Sequence, residues 1–87
     1  MRFDLSRHAQ QEMRRRSIPS TLLQSVLETP QQIVPQAGNK RVYQSQLDFG
    51  GGRVFLLRAV VDDSSDPATV ITVYRTSKIA KYWRSSP

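Results

Sequence analysis

Hydrophobic residues recur along this chain with two different periods, and the change from one to the other divides it. Between Leu5 and Leu27 the spacing is helical. Leu5, Ala9 and Met13 fall on every fourth residue, and Leu22, Leu23, Val26 and Leu27 form a broad apolar face further on. Ser6 suits the N-cap of a first helix running through about Arg16. Pro19 suits the first turn of a second helix, which Thr29-Pro30 ends.

From Gln32 onward the pattern is that of strands. Gln32-Ile33-Val34 lies between Pro30 and Pro35, and Gly38-Asn39 turns the chain into a longer run from Lys40 to Phe49. There Arg41, Tyr43, Ser45, Leu47 and Phe49 share one face. Gly50-Gly51-Gly52 leads into Arg53 through Val61, which is apolar on both pleat faces, as expected of a strand covered on both sides. Asp62 to Pro67 turns the chain out again into Val70 through Arg75. Thr76 or Ser77 can cap a short helix that carries Lys78, Ile79, Ala80, Lys81, Tyr82, Trp83 and Arg84.

Helices and strands are thus segregated, which predicts an α+β fold. Two N-terminal helices pack on one face of an antiparallel sheet of about four strands, and a short C-terminal helix follows. The sheet's other face is expected to be partly open. With 87 residues the chain is read as one domain, 1–87, with a single modest core. It has no apolar run of membrane-spanning length, and its charged N-terminus has no signal-like apolar region, so a cytoplasmic location is expected. The absence of cysteine excludes a disulfide framework and thiolate metal ligands.

Charge alters the picture more than composition does. A net charge of +6 and a pI near 10.5 favour an anionic partner. Arg58 interrupts the central apolar strand, and a guanidinium there must be paired or aimed into a cleft. A packed stem with a snorkelling head is the structural alternative. Arg58, Arg75, Lys78 and Lys81 are interleaved with Tyr74, Tyr82 and Trp83, and no acid follows Asp66. Cations neutralise phosphates and aromatic faces stack bases, so the mixture suits single-stranded RNA, with Arg84 adding to it. A solvated basic surface is the plainer reading.

His8 is the only histidine and borders the buried stripe of the first helix. A metal-free ribonuclease needs a base for the 2′-hydroxyl, cations for the phosphorane and an acid for the leaving oxygen. His8, Arg58, Arg75 and Tyr74 could supply those parts, and a structural histidine is the alternative. Asp62, Asp63 and Asp66 read as a solvated hairpin loop, so neither a metal nor a cofactor is expected.

Ser6-Arg7-His8-Ala9, then Met13, Arg16 and Ile18, and finally Val70-Ile71-Thr72-Val73-Tyr74, resemble the pattern of the small bacterial proteins grouped as domain of unknown function 4258. The resemblance covers nearly the whole chain through short motifs. That family is similar in layout to the RelE and BrnT ribonuclease toxins, whose compact sheets carry basic and aromatic residues that cut RNA without metal. The resemblance implies a RelE-like domain with His8, Arg16, Arg58 and Tyr74 at the matching site positions. Ser17 stands where the family usually has glycine, and the first helix is not lysine-rich as in RelE.

The combined expectation is a toxin-like, metal-independent endoribonuclease of a toxin–antitoxin system. Its catalytic set is His8, Arg58, Tyr74 and Arg75, and its RNA contacts are Arg16, Lys78, Lys81, Tyr82 and Arg84. RNA and a small antitoxin protein are the expected partners. A non-catalytic adaptor using the same basic face for RNA or protein is the alternative. Catalysis further requires that Arg58 open onto a cleft and that His8 and Tyr74 converge on it.

Overall fold

The computed structural model describes residues 2–85. Its elements are β1 (Phe3–Leu5), α1 (Arg7–Arg15), α2 (Ser20–Glu28), β2 (Gln32–Pro35), β3 (Lys40–Asp48), β4 (Val54–Asp62), β5 (Ala68–Thr76) and α3 (Ile79–Tyr82). The five strands form one sheet in the order β1-β5-β4-β3-β2. β2 through β5 are antiparallel neighbours, as the short turns between them require. β1 lies parallel to β5, with Phe3 opposite Ala68 and Leu5 opposite Val70. The expected sheet of about four antiparallel strands is therefore a mixed sheet of five. A strand of three residues is too short to show an alternation, and its partner lies at the far end of the sequence.

Ser6 joins the first strand to the first helix in two ways. Its hydroxyl accepts the Ala9 N–H at 3.0 Å as the N-cap of α1 and donates to the Ile71 carbonyl at 2.7 Å on β5. Ser6→Ala is expected to cost about 0.5–2 kcal/mol, the range of a lost cap, with the upper half favoured by the second bond. Chemical denaturation measures it, and a cost below that range would show that β5 holds α1 without the hydroxyl. At the other end of α1, Ser17 adopts φ of 52°, the left-handed region that favours glycine. That conformation turns the chain towards Pro19, which is the N-cap position of α2 rather than its first turn.

The pleat then decides what each layer sees. Tyr43, Leu57, Ala59, Val61, Val70 and Val73 face the helices and pack with Ala9, Ile18, Leu23, Val26 and Leu27. Val42, Gln44, Leu56, Arg58 and Tyr74 alternate with that set and face the other way. Leu56 and Leu57 are both fully buried, so β4 is covered on both faces. The second cover is the C-terminal segment, which folds back across β2, β3 and β4 through α3 and Arg84. The face expected to stay open is therefore roofed, because its glutamines offer hydrogen bonds that hold the chain down. No helix among the described residues is long and apolar enough to cross a membrane.

Candidate functional site

Arg58 stands mid-strand on β4, directly between Gln44 of β3 and Tyr74 of β5. Its Nε donates to Gln44 Oε1 at 2.8 Å, and its Nη1 donates to the Tyr74 hydroxyl. Tyr82 of α3 lies over the guanidinium, with the ring centroid 4.2 Å from Cζ, and meets Tyr74 edge to face. Only 7% of Arg58 is exposed. The cleft expected around it is thus largely filled by Tyr82 and the backbone that follows.

The glutamines extend the network. Gln44 Nε2 donates to Gln32 Oε1 at 2.8 Å and to the Tyr82 carbonyl at 3.2 Å. Gln32 in turn donates through Nε2 to the Arg84 carbonyl at 2.6 Å and accepts the Arg84 N–H at 3.1 Å. The side-chain donors run from Arg58 through Gln44 and Gln32 to the C-terminal backbone, and the Arg84 N–H returns one bond to Gln32. Each bond fixes the amide orientation of the next residue and polarises it.

What the network lacks is an acid. The ion pairs among the described residues join Glu12 to Arg15 and Arg16, and Arg41 to Asp63. An arginine keeps its charge at any ordinary pH, and burying it against neutral partners alone is costly. Two of its five N–H groups are used by Gln44 and Tyr74. No buried side-chain nitrogen or oxygen among the described residues lacks a partner, so Nη2, which bonds no described atom, keeps the residual contact with solvent. The result is a fixed cation, flanked by two phenol rings, that presents unspent donors at a narrow opening. That chemistry fits one oxygen-bearing anion.

The other expected site residues divide between the layers. Lys78, Lys81 and Arg84 are exposed on or beside α3, and Lys81 Nζ lies 5.2 Å from the Tyr82 ring centroid. They surround the roof over Arg58. Trp83 is half-buried in the same segment. Arg75 is displaced from this group. It pairs with Leu57 rather than Arg58 and so projects from the helix-bearing face, where its Cζ sits 4.9 Å from the Phe49 ring and 4.8 Å from Phe55.

His8 is exposed on α1, in the helical layer that packs on Val73 and Ala59. Tyr74 and Arg58 project from the opposite face, so the expected convergence of His8 with them does not occur. The expectation failed because helical spacing places a residue on its helix but not the helix on a sheet face. Arg16, at the end of α1, is held 3.1 Å from Glu12 Oε1 and also belongs to that layer. Its guanidinium, as first cause, holds the Glu12 carboxyl below the usual range, with Arg15 adding to the effect.

Gln44 and Gln32 are the site residues that sequence reasoning missed. A signal was present: the strand residues facing away from Tyr43 and Leu47 include Val42, Gln44 and Gln46, and a polar residue between covered neighbours needs a partner. The partner's identity depends on the register of β3 against β4, which spacing alone leaves open.

An α+β domain with a buried arginine on the sheet face opposite α1 and α2 is the class that fold and site define. The chain belongs to the family described as Domain of unknown function (DUF4258), which it matches over residues 5–75. Gln44, Arg58 and Tyr74 lie inside that span, whereas α3 and the roof over Arg58 follow it. No curated protein and no solved structure matches the chain.

Proposed function

We propose that this chain is a toxin-type RNA-binding protein that takes a backbone phosphate at Arg58 and acts in the cytoplasm alongside a small antitoxin partner. The observation that supports this reading is the buried guanidinium with unspent donors and no carboxylate within its network. A phosphate oxygen entering the opening meets Nη2 first. Lys78, Lys81 and Arg84 supply the surrounding positive field. Tyr82, which lies over the guanidinium, offers its outer face as a stacking plane to a neighbouring base.

One observation favours metal-independent cleavage as a second reading. Tyr74 accepts the bond from Arg58, so its own proton is free to be donated. In that scheme the RNA 2′-oxygen attacks phosphorus and the bond to the 5′-oxygen breaks, leaving a cyclic phosphate. Tyr74 gives its proton to the departing 5′-oxygen, Arg58 neutralises the phosphorane, and water takes the 2′-hydroxyl proton. His8 has no role in it, and no side chain in the cluster serves as a strong base. Binding is therefore the better supported half of the reading.

Labelled single-stranded RNA, followed by anisotropy for binding and by gel for cleavage in the presence of a chelator, separates the two. Binding that weakens steeply with salt supports the first reading, and a flat salt dependence overturns it. Loss of cleavage by about two orders of magnitude in Tyr74→Phe, with affinity retained, establishes the second. His8→Ala is expected to change neither affinity nor cleavage. A fall in cleavage there would place the reactive centre on the helical layer instead.

A further inference from the structure

Arg75 was expected beside Arg58, and its displacement to the other face defines a separate cluster at the tip of the β3–β4 hairpin. Phe49 and Phe55 meet edge to face with centroids 5.5 Å apart, and the Arg75 guanidinium lies over both rings. Arg53 approaches Phe55 as well, at 5.7 Å. Gly50, Gly51 and Gly52 all have positive φ in the turn between the two strands, which brings Arg53 back beside Phe49 through the Phe49 N–H to Arg53 carbonyl bond at 2.9 Å.

The two rings do half of what a ligand site requires. They fix the plane of Arg75 by cation–π contact, yet they accept none of its hydrogen bonds. The Arg75 side chain makes no hydrogen bond or ion pair with any described residue, and neither does that of Arg53. Asp48, the acid closest to Arg53 in sequence, is exposed and accepts the Gly50 N–H at 2.7 Å through Oδ1. Two guanidiniums are thus held on one aromatic pair with all their side-chain donors unspent. An arginine ordered in this way loses less side-chain freedom when it binds than a free one does.

We propose that this hairpin tip is a second RNA contact, in which Arg75 and Arg53 grip a backbone phosphate and a base stacks on the outer plane of the Arg75 guanidinium. The inference rests on the RNA reading above but uses the opposite face of the sheet. RNA is favoured over an acidic peptide because the site offers flat aromatic and guanidinium planes as well as charge. A carboxylate side chain has no use for those planes, whereas a nucleobase does.

The test is anisotropy of a fluorescein-labelled single-stranded RNA against the full chain across a salt series, with Arg75→Ala, Arg75→Lys, Arg53→Ala and Arg58→Met compared. Arg75→Ala is expected to weaken binding about tenfold and to reduce the slope of log K against log salt by about 0.7, the share of one phosphate contact on a single strand. Arg75→Lys keeps the charge but loses the plane and the fork, so it should restore the slope without restoring the affinity. Thermal melts of the same variants show whether the fold is intact. Unchanged affinity and slope in a folded Arg75→Ala, with Arg58→Met still impaired, would overturn this inference and leave the Arg58 reading standing. The reverse pattern would overturn the Arg58 site and support the hairpin tip. A polyglutamate competitor that displaces the RNA as well as unlabelled RNA does would also overturn it, by making the site one for acidic protein.

Discussion

Arg58→Met is expected to lower RNA affinity at least about tenfold while leaving folding stability within about 2 kcal/mol of the parent. The two effects separate because the guanidinium contributes charge to a ligand but little net energy to the fold. A buried cation replaced by an apolar side chain of similar volume is often neutral or stabilising. Against that gain stands Gln44 Oε1, which is fully buried and loses its donor at a cost of about 1–3 kcal/mol. Arg58→Ala should be worse for stability, since it also leaves a void under Tyr82. Urea titration gives the first quantity and RNA anisotropy the second. A methionine variant that binds RNA as tightly as the parent would reduce Arg58 to a structural strut and remove the proposed site.

Adjacent leucines on β4 give the second large effect. Leu57→Ala is expected to cost about 3–5 kcal/mol and Leu56→Ala about 2–3, although both are fully buried. Leu57 lies in the apolar core on the face where α2 packs on β4, held by many neighbours, so the vacated space stays open. Leu56 is on the face that the C-terminal segment crosses. There α3 has four residues, none of them buried, and hydrogen bonds from two glutamines hold that segment. A cover of that kind can settle into a void, and the cost of a large-to-small change falls when the site collapses. Equal costs at the two positions, read from denaturation midpoints at constant m, would show the C-terminal segment to be as firmly seated as the helices.

The helices and the four longer strands were legible because each had a clean period and a clear stop. Ala9 and Met13 marked one stripe, although Leu5, read with them, ends β1 instead; Thr29-Pro30 closed the second helix, and glycine or aspartate turns separated the antiparallel strands. The face shared by Tyr43, Ser45, Leu47 and Phe49 was legible too, and those residues do share the helix-bearing face. Two kinds of fact escaped. β1 carries three residues and finds its partner across the length of the chain, so no local pattern announces it. Registers between strands were also hidden, and they decide the site. A shift of one residue between β4 and β5 would have put Arg75 beside Arg58. The irregularity between Val60 and Val61, where Thr72 and then Val70 are the partners, shows how such a shift arises. The arginines were identifiable as a set, but their division into two sites on two faces was not.

The pairing of β1 with β5 also constrains how the protein is made. During synthesis β1 and α1 emerge before the other elements described, and their docking strand, β5, is the last of the sheet to follow. Leu5 has its partner only when Val70 has emerged, and Ser6 finds its carbonyl acceptor only at Ile71. Until then the apolar stripe of Ala9 and Met13 has only its neighbouring helix to shelter against. The hairpins from β2 to β5 close locally, one after another, but α1 must wait for a contact spanning 65 positions. A ribosome-stalled chain ending before Ala68 would therefore hold α2 on β3 and β4 but leave α1 and β1 without their docking strand, and emergence of β5 would seat them.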